Sequence, residues 1–278
     1  MGSTKRALQG LAKRLGYTVI PNWRLESYEQ ARYLERLFAL LEIDCVIDVG
    51  ANRGQYRDFL RTNVGYQGTV VSFEPIPEHA EELRRRAAGD SRWMIAGCAL
   101  GRTRGTATFN VMASSEFSSF LPPDHSRVHG LERMNAVARQ VEVEVATLDE
   151  WLEERPGLRT SRTYLKLDTQ GFDLQVAKGA HRTLESVLAL QTEVSFKPIY
   201  TGMPDFATAI RSFEALGFEP SGLFRIPNHP FPELLEMDCH MIGSRCLREV
   251  KARGEDFDAS LMRAPGGSAA DANRLKTA

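Results

Sequence analysis

Short apolar runs alternate with stretches of helical periodicity along most of this chain. Residues 45–49 (C-V-I-D-V) are an apolar, β-branched run holding one acid, Asp48, which suits a buried parallel strand. Glycines at 50 and 54 then break the strand. Tyr56, Phe59 and Leu60 fall at helical spacing, so a strand turns directly into a helix. Residues 69–73 (T-V-V-S-F) read as a second strand ending at Glu74-Pro75. Residues 77–88 read as a helix with acids early and arginines late, which complements its dipole. Residues 93–99 predict a third strand. Gly101 and Gly105 flank a turn into an alternating stretch at 106–112, which suggests a hairpin.

The second half repeats the theme. Residues 141–147 alternate strictly (V-E-V-E-V-A-T), as an edge or half-exposed strand does, and 148–154 look helical behind Thr147 or Asp149. Residues 164–168 (Y-L-K-L-D) predict a strand feeding a helix over about 172–187. Another strand follows at 188–196, then a helix at 206–216 closed by Gly217. Strands at Phe218–Arg225 and Glu236–Gly243 follow, joined by a Pro-rich loop at 226–232. Ahead of this core, 4–15 read as a short basic amphipathic helix and 26–42 as a second helix. The basic helix suits docking on its own domain or on a partner subunit, a homodimer contact included. A peripheral contact with a membrane surface is the lesser reading. Beyond about Val250 periodicity ends, and residues 247–278 read as a disordered tail. The organisation is thus N-terminal helices over 1–43, one domain over 44–246, and the tail. Strands alternating with helices and finishing in a strand pair predict an α/β, Rossmann-like, doubly wound sheet. It has seven strands, mostly parallel, with an antiparallel edge strand and a β-hairpin insertion.

Composition narrows this little. The 278 residues are 42% hydrophobic and 26% charged, ordinary for a soluble domain. The net charge of −1 gives no global field for nucleic acid or an acidic membrane. No apolar run approaches the ~20 residues of a membrane span. Lys5, Arg6, Lys13 and Arg14 interrupt any secretory apolar segment. Cysteines 45, 98, 239 and 246 lack C-x-x-C spacing. Those at 45, 98 and 239 lie in apolar runs, so buried free thiols and a reducing cytoplasm are expected.

In a doubly wound sheet, ligands bind beyond the carboxyl ends of the strands. Asp48, Glu74, Asp168 and Glu193 all fall near such ends. The turn at 50–54 reads G-A-N-R-G rather than G-x-G-x-x-G, and Asp48 precedes it. An acid there is a poor neighbour for pyrophosphate and a good one for a cationic or amine-bearing ligand. S-adenosyl-L-methionine carries a sulfonium and an amine but no phosphate. Glu74, at the end of the next strand, is placed to accept ribose hydroxyls, as in NAD sites too.

D-V-G-A-N-R-G at 48–54, F-E-P at 73–75, A-L-G at 99–101, T-L-D-E-W at 147–151 and L-K-L-D-T-Q-G-F-D at 165–173 resemble the FkbM-type methyltransferases. These are class I S-adenosylmethionine-dependent enzymes, mostly O-methyltransferases, and the likeness runs over about 44–243. It implies that Asp48, Gly50, Asn52 and Gly54 line the methionine part of the cofactor and that Glu74 binds the ribose. It implies that Cys98, Ala99 and Leu100 flank the adenine. Ser114 and Ser115 match a serine pair near the cofactor, and Asp168 the acid beside the transferred methyl. Structural competitors stand beside these roles: Asp48 capping its turn, Glu74 as a helix-start acid, Asp168 as a helix cap, Glu193 as a solvated strand-end charge, the serines as plain loop residues.

An aliphatic hydroxyl needs a base to take its proton. Asp168 and Glu193 are the candidate carboxylates, and His125, His129, His229 and His240 the imidazoles. His240 shares a strand face with Asp238, as part of an acceptor pocket or of the structure. A divalent metal held by Asp168, Glu193 and a histidine is not favoured. The segments 113–139, 197–205 and 226–232 are expected to meet a small-molecule or glycosylated acceptor. Their rims hold Phe117, Phe120, Tyr200, Phe224 and Phe231, which suits an acceptor with an apolar portion, although such rings also serve as core plugs. O-methylation of a sugar, glycolipid or natural-product hydroxyl is the leading expectation. An NAD-type oxidoreductase on a similar fold and a non-catalytic cofactor-binding protein are the alternatives.

Overall fold

A computed structural model describes residues 12, 14–17, 19–126, 130–159, 162–226 and 232–254. The basic helix at 4–15 for the most part, His129, His229, Phe231 and the tail beyond 254 lie outside the described residues. The chain divides into two compact units, Glu29–Ser244 and a smaller one made of Met1–Tyr28 with Arg245–Ala278. The smaller unit contains a single-turn helix at Asn22–Arg24 and most of a helix at Ser244–Ala252. Helix α1 (Tyr28–Leu40) turns Gln30, Ala31, Leu34, Leu37 and Phe38 inward, and from Glu29 on it belongs to the larger unit.

That unit is an α/β fold on a seven-stranded sheet. Its strands are β1 (Cys45–Val49), β2 (Thr69–Phe73), β3 (Trp93–Ala96), β7 (Thr163–Leu167), β8 (Ala189–Ser195), β9 (Phe218–Arg225) and β10 (Glu236–Gly243), ordered β3-β2-β1-β7-β8-β10-β9. Strands β1, β2, β3, β7 and β8 are parallel, and β10 runs antiparallel to both neighbours, one place in from the edge. The central strands β1 and β7 are buried along their whole length, which is why they read as near-continuous apolar runs.

A second sheet holds β4 (Ala99–Leu100), β5 (Gly105–Met112) and β6 (Val137–Ala146) in the order β4-β6-β5. Here two expectations are corrected. The run 93–99 is not one strand: it breaks at Gly97-Cys98, and Ala99–Leu100 joins the second sheet. The hairpin forms between β5 and β6, across the long 113–136 connection. Phe109 and Val111 bury against Val143 and Val145, so the alternation of both strands selects that pairing. The helix expected over 172–187 is likewise two short ones, Asp173–Lys178 and His181–Leu184. At Gly179 a Cβ would come within 1.9 Å of the Gly101 carbonyl oxygen, and the interruption falls there. His181 is exposed.

All four cysteines are buried. Among the described residues no helix is long and apolar enough to cross a membrane.

Candidate active site

Parallel register sets the site. Ser72, Asp48, Lys166, Gln191 and His240 are successive partners across β2, β1, β7, β8 and β10. Residues in register share a sheet face, so five polar side chains form one row beneath α1 and the helix α2 (Gln55–Phe59). Asp48 has no exposed surface. It accepts from Ser72 Oγ at 3.2 Å and lies 3.2 Å from Lys166 Nζ. The same ammonium reaches Asp168 Oδ2 at 3.0 Å and sits 5.1 Å from the centre of the Tyr56 ring. Burial pushes Asp48 upward, and the Lys166 charge pulls it back only in part. The acid read from the sequence as facing a cationic ligand is thus already paired from within, by a lysine that the sequence reading passed over.

Above the row lies the turn, with Gly50, Asn52 and Gly54 in left-handed backbone. Its five N–H groups are all occupied. Those of Gly50 and Ala51 donate to the Phe73 carbonyl at 3.1 and 3.0 Å, and that of Gly54 to the Ala51 carbonyl at 2.7 Å. The Asn52 N–H donates to Glu74 Oε2 at 2.7 Å and the Arg53 N–H to Gln55 Oε1 at 3.0 Å. A phosphate cradle needs such donors aimed outward; here they close the turn on itself. Glu74 also accepts from the Ile76 N–H at 2.8 Å, so it serves as a helix-start acid in addition to whatever ligand role it has. Burial pushes its carboxyl up to about 8. Ser115 Oγ donates to Asn52 Oδ1 at 3.1 Å, which brings the serine of the 113–136 connection to the turn.

This burial has a measurable consequence. The neutral form of Glu74 is favoured in the folded chain, so its stabilising effect is complete below about 4.5, its ordinary value, and is lost as pH rises through about 8. Buried, neutral His240 opposes this trend only below pH 6.5, because burial lowers it to about 3. Between pH 6.5 and 8 the ligand-free protein is expected to lose about 2 kcal/mol through Glu74. Thermal melts across that interval test this, and Glu74→Gln should flatten the slope.

Beyond β7 the chain holds Asp168 and Gln170. Gln170 Nε2 donates to Asp168 Oδ1 at 3.0 Å and to Glu193 Oε2 at 2.8 Å, which brings both candidate bases together. Burial, then the charges of Asp168, Glu236, Asp238 and Asp173, raise Glu193 well above the usual carboxylate range. Asp168 is not the helix cap. The N-cap of the helix at Asp173–Lys178 is Phe172, and Asp173 in its first turn accepts from the Thr169 N–H at 2.9 Å and from the Thr169 and Thr192 hydroxyls.

His240, offered by the sequence as part of an acceptor pocket or of the structure, is fully buried beneath α1. Its Nε2 lies 3.1 Å from Gln30 Nε2 and its Nδ1 2.6 Å from the Tyr164 hydroxyl, with the rings of Tyr33 and Phe224 at 5.0 and 5.2 Å. Gln30 donates, so Nε2 accepts and Nδ1–H donates to Tyr164. Burial keeps this imidazole neutral. Asp238, on the same face, is held by Gln30 and Gln191 at 2.7 and 2.8 Å. His125 is exposed and bonded to Asn135 at 2.7 Å.

Cys98 packs in the main core, and burial pushes its thiol up to about 11. Ala99 and Leu100 are buried as well, so a ligand would meet these three through their main chain. Of the rim aromatics, Phe120 packs on Phe109 and Phe172, and Phe224 on His240: both are core plugs. Tyr200 is buried in a small cluster with Met112, Leu131, Ile199, Met203 and Leu235, and Phe117 packs against it. Among the described residues no group of three or more His, Cys, Asp or Glu is arranged to hold a metal ion.

The family model described as "Methyltransferase FkbM domain" matches residues 48–220. No curated protein matches. Similar solved structures include the magnesium protoporphyrin IX methyltransferase of Synechocystis PCC 6803 with bound SAM, at 8% identity and TM-score 0.42, covering 86% of this chain and 91% of that one. A putative O-methyltransferase from Klebsiella pneumoniae has 10% identity and TM-score 0.43, with 87% and 90% covered. The 1,6-didemethyltoxoflavin-N1-methyltransferase of Burkholderia thailandensis has 12% identity and TM-score 0.41, with 87% and 86% covered.

Proposed function

The chain belongs to the FkbM methyltransferase family, and from that premise we propose that it moves the methyl group of S-adenosyl-L-methionine to a hydroxyl oxygen of a small or glycosylated acceptor, such as a sugar, a glycolipid or a natural product. The observation that carries the cofactor is the turn at 50–54, whose five N–H groups are all bonded within the chain. A dinucleotide pyrophosphate would find no donors there, whereas a phosphate-free cofactor needs none. The rim is acidic where such a cofactor is positive: Glu74 and Asp168 follow β2 and β7, the two parallel strands that flank β1, and the Ser115–Asn52 hydrogen bond ties the 113–136 connection to the turn.

The cofactor supplies a methyl carbon already activated by a sulfonium. The acceptor oxygen forms the new C–O bond as the C–S bond breaks. The electron pair of that bond stays on sulfur as a thioether, and the hydroxyl proton goes to a carboxylate. In this chain Glu193 is the residue assigned to take that proton. Burial and the surrounding acids raise its affinity for a proton, which is the direction a base needs. Asp168, held by Lys166 and Gln170, is assigned to the cofactor side. The protein's remaining work is alignment of donor and acceptor in a water-poor site.

Calorimetry with S-adenosylhomocysteine and with NADH tests the cofactor. Binding of the former and none of the latter is expected, and Glu74→Ala should weaken it roughly 10–100-fold through loss of its hydrogen bonds to the ribose hydroxyls. Tight NADH binding with none of the thioether would overturn the reading. Mass spectrometry of products from hydroxyl-bearing and amine-bearing acceptors tests the oxygen assignment, and methylation on nitrogen alone would sink it.

A further inference from the structure

Gln170 sits in the turn after β7 with left-handed backbone, φ 53°. Its side chain is buried and makes three contacts. A primary amide nitrogen has two hydrogens. Here one goes to Asp168 and the other to Glu193. The amide oxygen accepts from the Tyr200 hydroxyl at 3.0 Å, sharing its one hydrogen with a main-chain carbonyl, and charged acids have no hydrogen to give, so nitrogen rather than oxygen is turned to them. Tyr200 also reaches the Phe117 carbonyl at 2.6 Å, and Ser119 Oγ donates to the Gln170 carbonyl at 2.8 Å. The residue between the two acids is therefore tied to both segments that roof them.

Two carboxylates close together repel, and burial adds to the cost of their charge. A neutral residue that only filled space would leave them to splay apart or to share a proton. A bridging NH2 donates to both at once and favours the charged form of each. The other groups that face Glu193 are Lys166 and Tyr200 and the acids Glu236, Asp238 and Asp173. Lys166 is committed to Asp48 and Asp168, at 3.2 and 3.0 Å, so the amide is the neutral donor that acts on Glu193 directly.

We propose that Gln170 is a positioning residue that holds Asp168 and Glu193 as one pair and keeps Glu193 able to accept the acceptor's proton. The inference rests on the methyl-transfer reading for its purpose, but the hold itself is measurable without an acceptor. Carboxyl carbon-13 NMR of glutamate-labelled protein follows the titration of Glu193, assigned by the signal missing in Glu193→Gln. Gln170→Met keeps the bulk and removes both donors, and the Glu193 midpoint should rise by about one pH unit. Tyr200→Phe leaves the amide in place but removes the hydroxyl that orients it. It should move the midpoint in the same direction by less, and it keeps the test alive if Gln170→Met does not fold. An unchanged or lowered midpoint in a folded variant overturns the proposal and leaves Gln170 a packing residue. Calorimetry of the unsubstituted protein with S-adenosylhomocysteine runs alongside. If that ligand fails to bind while the midpoint still rises, the methyl-transfer reading fails and the hold of Gln170 on Glu193 stands.

Discussion

Lys166→Met is expected to cost about 3–5 kcal/mol of stability, the usual result of removing one partner from a buried ion pair. Lys166 is 4% exposed and Asp48 not at all. Burial by itself would lower the lysine, yet the charges of Asp168 and Asp48 outweigh it and hold the ammonium firmly protonated. Methionine supplies comparable bulk and no charge. Asp48 would then be left against Ser72 alone, with Asp168 repelling it. For a chain of this size such a loss lowers the melting temperature by roughly 5–10 °C, which calorimetry reads directly. Adding Asp48→Asn should recover more than half of the deficit, because the deeply buried charge is then gone too. A single variant melting within about 3 °C of the unsubstituted protein would show that the row is not a coupled ion pair. Asp168 gives the same change a second consequence: it would lose its charged anchor and keep only the Gln170 amide.

The contrast between Lys166 and the strands around it shows what the sequence displays. Strands β1, β2, β9 and β10 have the same ends in the structure as in the sequence pattern, and for β1 and β2 the reason is that a buried strand must be apolar wherever it is placed. The carboxylates at the strand ends could be read for a related reason, since open α/β sheets use that rim. Lys166 is one letter in Y-L-K-L-D, and its meaning depends on the register that sets it opposite Asp48, a pairing between distant segments. A lone lysine inside an otherwise apolar parallel strand was a usable signal all the same, since burial obliges it to find an acid. The sequence left His240 open between two roles for a related reason. Its surroundings are set by Gln30 and Tyr33 on a helix some two hundred positions away in the chain. The run 93–99 and the helix over 172–187 were overextended for a local reason. Each has a glycine, Gly97 or Gly179, near a break that tertiary packing imposes.

Gly50→Ala is expected to have the other large effect. The family resemblance implies that this glycine lines the cofactor, and the structure gives it a second neighbour. A Cβ at Gly50 would lie 1.9 Å from the Asp168 carbonyl oxygen and 2.9 Å from its carbon. The backbone after β1 therefore runs against the backbone after β7, joined there by the Asp168 N–H donating to the Val49 carbonyl at 3.0 Å. An alanine must accept φ near +85° and also push Asp168 away, and Asp168 carries the carboxylate at the centre of the site. Gly65 provides the control. It has φ +79° with nothing within 4 Å of its Cβ position, so Gly65→Ala meets only the left-handed penalty, about 1 kcal/mol. Gly50→Ala should cost about 3 kcal/mol or more, and weaken S-adenosylhomocysteine at least about 100-fold in calorimetry as the Asp168 segment shifts. Equal stability losses for the two alanines, with ligand binding intact in both, would mean that the two turns do not meet as described. The expected asymmetry would instead show why a glycine begins this turn: it lets the two strand ends that carry Asp48 and Asp168 close onto one lysine.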